Sequence, residues 1–250
     1  MLAGSSRPKL TSAILVAAAL AICSCGTNQG AHSSKETPRE SASADVAARP
    51  LTTEQLKSLA FQEGEVPQAD EGGIAIQVPQ PKSEQESFPP VSDPVCQKVF
   101  DSTSGVAASA VVLQIFNWNG DIYPGGSTLA AYEGTGAQQA FKQVLNGLKT
   151  CKSFSGVGYT GKYQAEITAE KSLDVGDEAV RFRVTTPATL PPAKRGEPDR
   201  KVPWIDRYVV VRVGTTIATF DTTKVGDSPA SFPADLINKQ VERLRNAQRQ

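Results

Sequence analysis

Three carboxylates, Asp174, Asp177 and Glu178, stand close together just ahead of a strand-like run. Carboxylates grouped in this way can divide acid and base work in a hydrolase, provided a pocket raises the pKa of one of them. The plainer expectation is that acidic residues at a strand entrance form turns or solvated charges. A serine triad needs a histidine base, and the one histidine, His32, lies in a polar N-terminal segment. Gly156-Val-Gly158-Tyr-Thr-Gly161 spells G-x-G-x-x-G. That fingerprint works only after a strand and before a helix whose N-terminus meets the pyrophosphate. Here a helical run precedes it and a strand-like run follows, so the glycines are expected to shape a loop. No enzymatic activity, cofactor or metal is expected from these residues. Trp118, Tyr123, Tyr159, Tyr163 and Trp204 lie near turns or strand ends, where aromatics can line a ligand cleft. Half of them are expected in the core, and Trp118, Tyr123 and Trp204 are the candidate ligand-binding rim.

The elements that would position these residues follow a leader. Arg7 and Lys9 precede an apolar run from Leu10 to Ile22, shorter than the roughly 20 residues that span a bilayer. The run ends Leu-Ala-Ile-Cys-Ser-Cys25-Gly. Ile22 and Ser24 before Cys25 resemble the bacterial lipobox, whose cysteine is acylated and becomes the new N-terminus. An ordinary signal peptide cut after Gly26 is the alternative. Residues 1–24 are therefore expected to be a lipoprotein signal peptide, and residues 25–50 a lipid-anchored, disordered tether rich in Ser, Ala, Glu and Thr. A flexible coil of about 25 residues holds a domain about 25–30 Å from the membrane. Durable anchoring takes more than one acyl chain, as a mature lipoprotein, palmitate included, carries. The expected location is the outer face of the cytoplasmic membrane. Removing Arg7 and Lys9 leaves 24 basic against 26 acidic residues, so no global basic field draws nucleic acid. With Cys25 lipidated, Cys96 and Cys151 remain, and two cysteines in an exported chain read as a disulfide. Closing a loop of about 56 residues contributes about 4 kcal/mol on the chain-entropy model. Two thiols without nearby histidines are too few for a zinc site.

Residues 51–250 have the length of one domain. Its spine is the run 137–151, where Ala137, Ala140, Phe141, Val144, Leu145 and Leu148 fall on one helical face that Cys151 continues. Thr52 and Gln55 form a capping box for a helix over 54–61. A strand over 73–78, a proline-rich connection over 79–94 and a helix over 94–101 opened by Pro94 come next. Strands are expected over 109–118, 127–133, 163–170 and 178–186, with 156–161 as a helix-to-strand loop. A long loop over 187–203 carries the charged run 194–201, which can meet anionic head groups or cell-wall polymer, or simply be solvated. A hairpin pairs 207–213 with 215–220 across Gly214, and a helix from Pro233 closes the chain. Hairpins with interspersed helices and no regular βαβ alternation predict an α+β fold: a twisted, mostly antiparallel sheet, helices on one face, one disulfide.

Pro94-Val-Cys96, Phe141-x6-Leu148-x2-Cys151, Val175-Gly-Asp-Glu-Ala179 and Val209-Val-Val-Arg-Val-Gly214 recur in this order over about residues 51–250. Together they resemble the extracellular sensor-domain family named after the C-terminal domain of the mycobacterial serine/threonine kinase PknH, which also occurs as stand-alone actinobacterial lipoproteins. The resemblance implies an α+β domain with a cleft for an extracellular ligand and no catalytic residues. The kinase's domain has two disulfides, whereas this chain has cysteines for one. The expected function is a cell-surface lipoprotein whose sensor-like domain binds a small-molecule, lipid or protein ligand, or an envelope partner. The alternative is a lipid or glycolipid carrier, which predicts a closed apolar cavity of several hundred Å³.

Overall fold

The computed structural model describes residues 49–79, 89–158, 161–192, 194–226 and 231–249. The leader, Cys25 and the tether up to residue 48, with Tyr159, lie outside them. Among the described residues, eight strands form one sheet, and every neighbouring pair runs antiparallel. Helix α1 (Thr53–Leu59) leads into β1 (Ala69–Gln77), and α2 (Pro94–Thr103) into the hairpin of β2 (Ala110–Trp118) and β3 (Gly125–Ala131). Helix α3 (Gly136–Thr150) precedes a meander of β4 (Ser153–Gly158), β5 (Gly161–Glu170), β6 (Glu178–Leu190), β7 (Arg200–Val213) and β8 (Thr216–Val225), and α4 (Ala234–Gln248) ends the domain. The spatial order is β1-β2-β3-β8-β7-β6-β5-β4. Two meanders therefore meet where β8 pairs with β3, and α3 carries the chain from that seam to the far edge strand.

Local signals account for the helices. Thr52 and Gln55 close the expected capping box, with Thr52 N–H donating to Gln55 Oε1 at 2.8 Å and Gln55 N–H to Thr52 Oγ1 at 3.2 Å. Asp93 accepts from the Val95 and Cys96 N–H groups at 2.7 and 3.0 Å, and Pro94 at the first position needs no acceptor for a missing N–H. Cys96 and Cys151 are joined, with Cα atoms 5.2 Å apart, tying α2 to the end of α3. The two helices approach closely at Gly147, where a Cβ would stand 2.3 Å from Val99 Cγ2.

The helices are shared between both faces of the sheet, two on each, where the sequence pattern predicts one face. Residues of α2 and α3 form one core with Val111, Ala165, Phe182, Val210 and Ile217. Residues 56–61 and α4 form a second with Val112, Phe116, Val211, Ala218 and Phe220. The reason lies in runs such as Val209-Val210-Val211, whose consecutive residues point to opposite faces and are all buried. A sheet apolar on both sides needs cover on both.

Two further expectations change. The stretch 187–203 is mostly ladder, because β6 and β7 stay paired through Pro187↔Pro203 and Thr189↔Lys201 to Leu190↔Arg200. The β5–β6 ladder ends at Glu166↔Thr185 and the β7–β8 ladder at Trp204↔Val225. Both prolines thus sit on outer edges of a projecting ribbon, where no ladder N–H is required. Likewise Gly156–Gly158 belong to edge strand β4, which pairs with β5 as far as Gly158↔Gly161. The G-x-G-x-x-G letters spell a hairpin.

Candidate functional site

Past Phe100 of α2, whose ring stands edge-on to Tyr208 at 6.4 Å, the face covered by α2 and α3 turns from apolar to polar. Asp206 of β7 lies directly opposite Thr223 of β8, and Tyr208 opposite Asp221. Directly paired residues share a face, so Asp206 and Asp221 are diagonal neighbours on it. Tyr208 stacks on Phe182 with ring centroids 4.8 Å apart, and Tyr163 of β5 stands edge-on to Phe154 at 6.2 Å. Beyond Asp206, Trp204 meets Tyr123 of the β2–β3 loop edge-on at 5.2 Å. The result is a recess floored by two carboxylates and two phenols and rimmed by an aromatic pair.

Its electrostatics follow from enclosure. Asp206 Oδ1 accepts from Thr223 Oγ1 at 2.6 Å and from Trp204 Nε1 at 3.1 Å. Burial raises its pKa and these two donors oppose the rise. Asp221 is surrounded by protein yet keeps partial solvent access, as the floor of a recess does. Burial first, then the charge of Asp206, lift its pKa from 3.8 to about 7. Among the described residues it makes no ion pair, and its carboxylate lies over Gly126, where a Cβ would stand 2.6 Å from Oδ1. Any larger residue at 126 would push that carboxylate away. Burial and then the neighbouring Asp206 and Asp221 hold the Tyr208 hydroxyl far above its ordinary range, and burial and Asp206 raise Tyr163. Four titratable groups thus disfavour one another's negative charge in one recess. Such a constellation marks a site where a positive group is welcome.

The structure brings Tyr123 and Trp204 together at this rim and places Trp118 elsewhere. Trp118 stacks on Phe116 at 5.3 Å and packs against Phe232 at 5.5 Å, within the core of the opposite face. Asp177 and Glu178 are ion-paired to Arg212 at 3.1 and 2.6 Å. Asp174 lines a polar groove of about 410 Å³ beside Glu242, Arg245 and Arg249. Burial raises the pKa of Asp206 and Asp221, which sequence reasoning missed. The available signal was alternation: each interrupts an apolar strand at a position whose two-residue neighbours, such as Tyr208 and Thr219, point inward.

No protein-family model matches this sequence, and no curated protein matches it. Among solved structures, the extracellular domain of PknH from Mycobacterium tuberculosis aligns with a TM-score of 0.52 at 12% identity, over 81% of this chain and 98% of that one. The likeness is one of fold. A STAR-related lipid transfer protein from Xanthomonas axonopodis aligns over 57% of this chain and 96% of its own at 15% identity, with a TM-score of 0.27 too low to bear on fold or function.

Proposed function

We propose that this chain is a lipid-anchored cell-surface protein whose domain binds an extracellular ligand carrying a cationic group, without catalysis. The observation that carries this reading is the recess itself: Asp206 and Asp221, with no ion pair to either among the described residues, between Tyr163, Tyr208 and the Tyr123–Trp204 rim. A cation there gains carboxylate attraction in a partly desolvated setting and contact with aromatic faces. The shared fold of the PknH extracellular domain supports a sensor-like role at the cell exterior. The lipobox-like end, with Ile22 and Ser24 before Cys25, supports the anchor, and the composition of residues 25–50 the tether. A floor of carboxylates and phenols suits a lipid or glycolipid carrier less well, since that function calls for an apolar cavity.

A raised Asp221 is also what a general acid needs. Catalysis ranks second because Asp206, the neighbour that would serve as base, is engaged by Thr223 and Trp204. The test is a fluorescence titration of Trp204 with tetramethylammonium and putrescine, using acetate as control. The reading expects a saturable response to the cations, stronger above pH 7 and weakened in Asp206→Asn and Asp221→Asn. An equal response to acetate, or none to either cation, would overturn it.

A further inference from the structure

The opposite face of the sheet carries a second concentration of charge. Arg181 and Arg183 of β6 and Arg207 of β7 share the face of Val209 and Phe220. Arg183 lies directly opposite Arg207, and Arg207 directly opposite Thr222 of β8, so the three form one row across the sheet. Like charges placed opposite each other weaken a strand pair, which makes this row a poor choice for stability alone. Glu170 answers part of the charge, 2.9 Å from Arg181 Nε and 3.5 Å from Arg207 Nε. Arg181 and Arg207 thus share the Glu170 carboxylate, and Arg183 stands between them and the exposed side of the row. In the next row Glu166 and the Lys224–Asp121 ion pair face the same side.

Two donors of the row are buried and unsatisfied. Among the described residues Arg183 Nε and Thr222 Oγ1 have no hydrogen-bond partner, and Thr222 is only 5% exposed. Buried polar groups in folded proteins are nearly always paired, and an orphan costs free energy. Thr168, directly opposite Arg183 on β5, is exposed, so the row opens to solvent on that side.

We propose that Arg183, Arg207 and Thr222, with Arg181 beside them, form an oxyanion site that takes a phosphate group. Guanidinium forks match the oxygens of a phosphate two at a time, and the phosphate accepts from the two orphaned donors, Arg183 Nε and Thr222 Oγ1. The phosphate belongs either to a soluble ion or to a phospholipid headgroup. The site is on the other face from the acidic recess and does not depend on it.

The test uses the full chain in detergent, titrated with sodium phosphate or with dihexanoylphosphatidylglycerol, a soluble headgroup carrier, against sodium chloride at equal ionic strength. Thermal melting and phosphorus NMR line widths report binding. Trp118 adds a fluorescence signal, because its indole lies over Gly125, the residue opposite Thr222. A saturable response above the chloride control to phosphate supports the soluble source, and one confined to the glycerol headgroup the lipid source. Arg183→Met is expected to weaken that response about tenfold and Thr222→Val severalfold. Glu170→Gln, which removes the competing carboxylate, is expected to strengthen it. If Arg183→Met does not fold, the near-isosteric Thr222→Val and Glu170→Gln decide the matter by moving affinity in opposite directions. No response above chloride to either probe, or one that Thr222→Val and Glu170→Gln leave unchanged, overturns the proposal.

Discussion

Replacing Asp221 by asparagine should make the domain more stable, and only above a certain pH. Asparagine keeps the shape of the side chain and removes the charge that the recess disfavours. In the folded chain the carboxyl pKa rises from 3.8 to about 7 because of burial and the nearby Asp206. The sign follows from proton linkage: the folded state holds the proton more tightly, so the wild type loses stability as pH climbs from about 4 through about 7. A rise of that size corresponds to ~4 kcal/mol for a fully desolvated charge. Partial solvent access reduces the expected gain to about 1–2 kcal/mol. For a domain of this length that amounts to roughly 2–8 °C in melting temperature. Circular-dichroism melts of wild type and Asp221→Asn between pH 4 and 8.5 measure it. The two curves should nearly coincide at pH 4, separate through pH 5 to 7 and stay apart above. Groups that do not interact with Asp221 cancel in the difference, and the coupled neighbour Asp206 moves it in the same direction, since the variant relieves the repulsion between them. A constant offset at every pH, or a variant less stable than wild type at pH 8, would refute the reasoning.

Glu65 should behave in the opposite sense. The hydrogen bond from Arg243 lowers its pKa from 4.5 to about 2, so its bridge stabilises above about pH 4.5 and is lost as pH falls toward 2. Partial exposure limits the contribution to about 1 kcal/mol, and Glu65→Gln should lower the melting temperature at pH 7 and leave it unchanged at pH 2. Reducing the Cys96–Cys151 bond, which spans 55 positions, should cost about 2–4 kcal/mol in a urea melt. A midpoint unmoved by reductant would mean that packing between α2 and α3 alone holds that core. Cys25→Ala should release the protein from membranes in a carbonate-wash fractionation, whereas retention in the pellet would end the lipid-anchor reading.

Much of the fold was legible because its signals are local. The stripe from Ala137 to Leu148 marks α3 without reference to any partner, and Thr52, Gln55 and Pro94 mark helix starts within a few residues. The Cys96–Cys151 bond followed from thiol count together with the expectation of export. What escaped depends on neighbours. Pro187 and Pro203 look like strand breakers until the ladders beside them are known to stop short. Glycines and serines hide β4, whose place at the sheet edge asks little of intrinsic propensity. Division of the helices between two faces shows only when consecutive valines are taken as facing opposite ways. The site was half legible. Tyr123 and Trp204 stood out as aromatics near turns, but Asp206 and Asp221 become a pair only through the β7–β8 register. The group that drew notice in sequence, Asp177 with Glu178, owes its place to Arg212, 34 residues beyond Glu178.

The most direct measurement is a carbon-13 NMR titration of the Asp206 and Asp221 carboxyl groups, with and without tetramethylammonium. The account predicts that Asp221 titrates near pH 7 in the free protein and that the bound cation pulls the titration downward while shifting both carboxyl signals. An Asp221 that titrates near its ordinary 3.8, or one that the cation leaves unmoved, would contradict the claim that this recess is a cation-binding site.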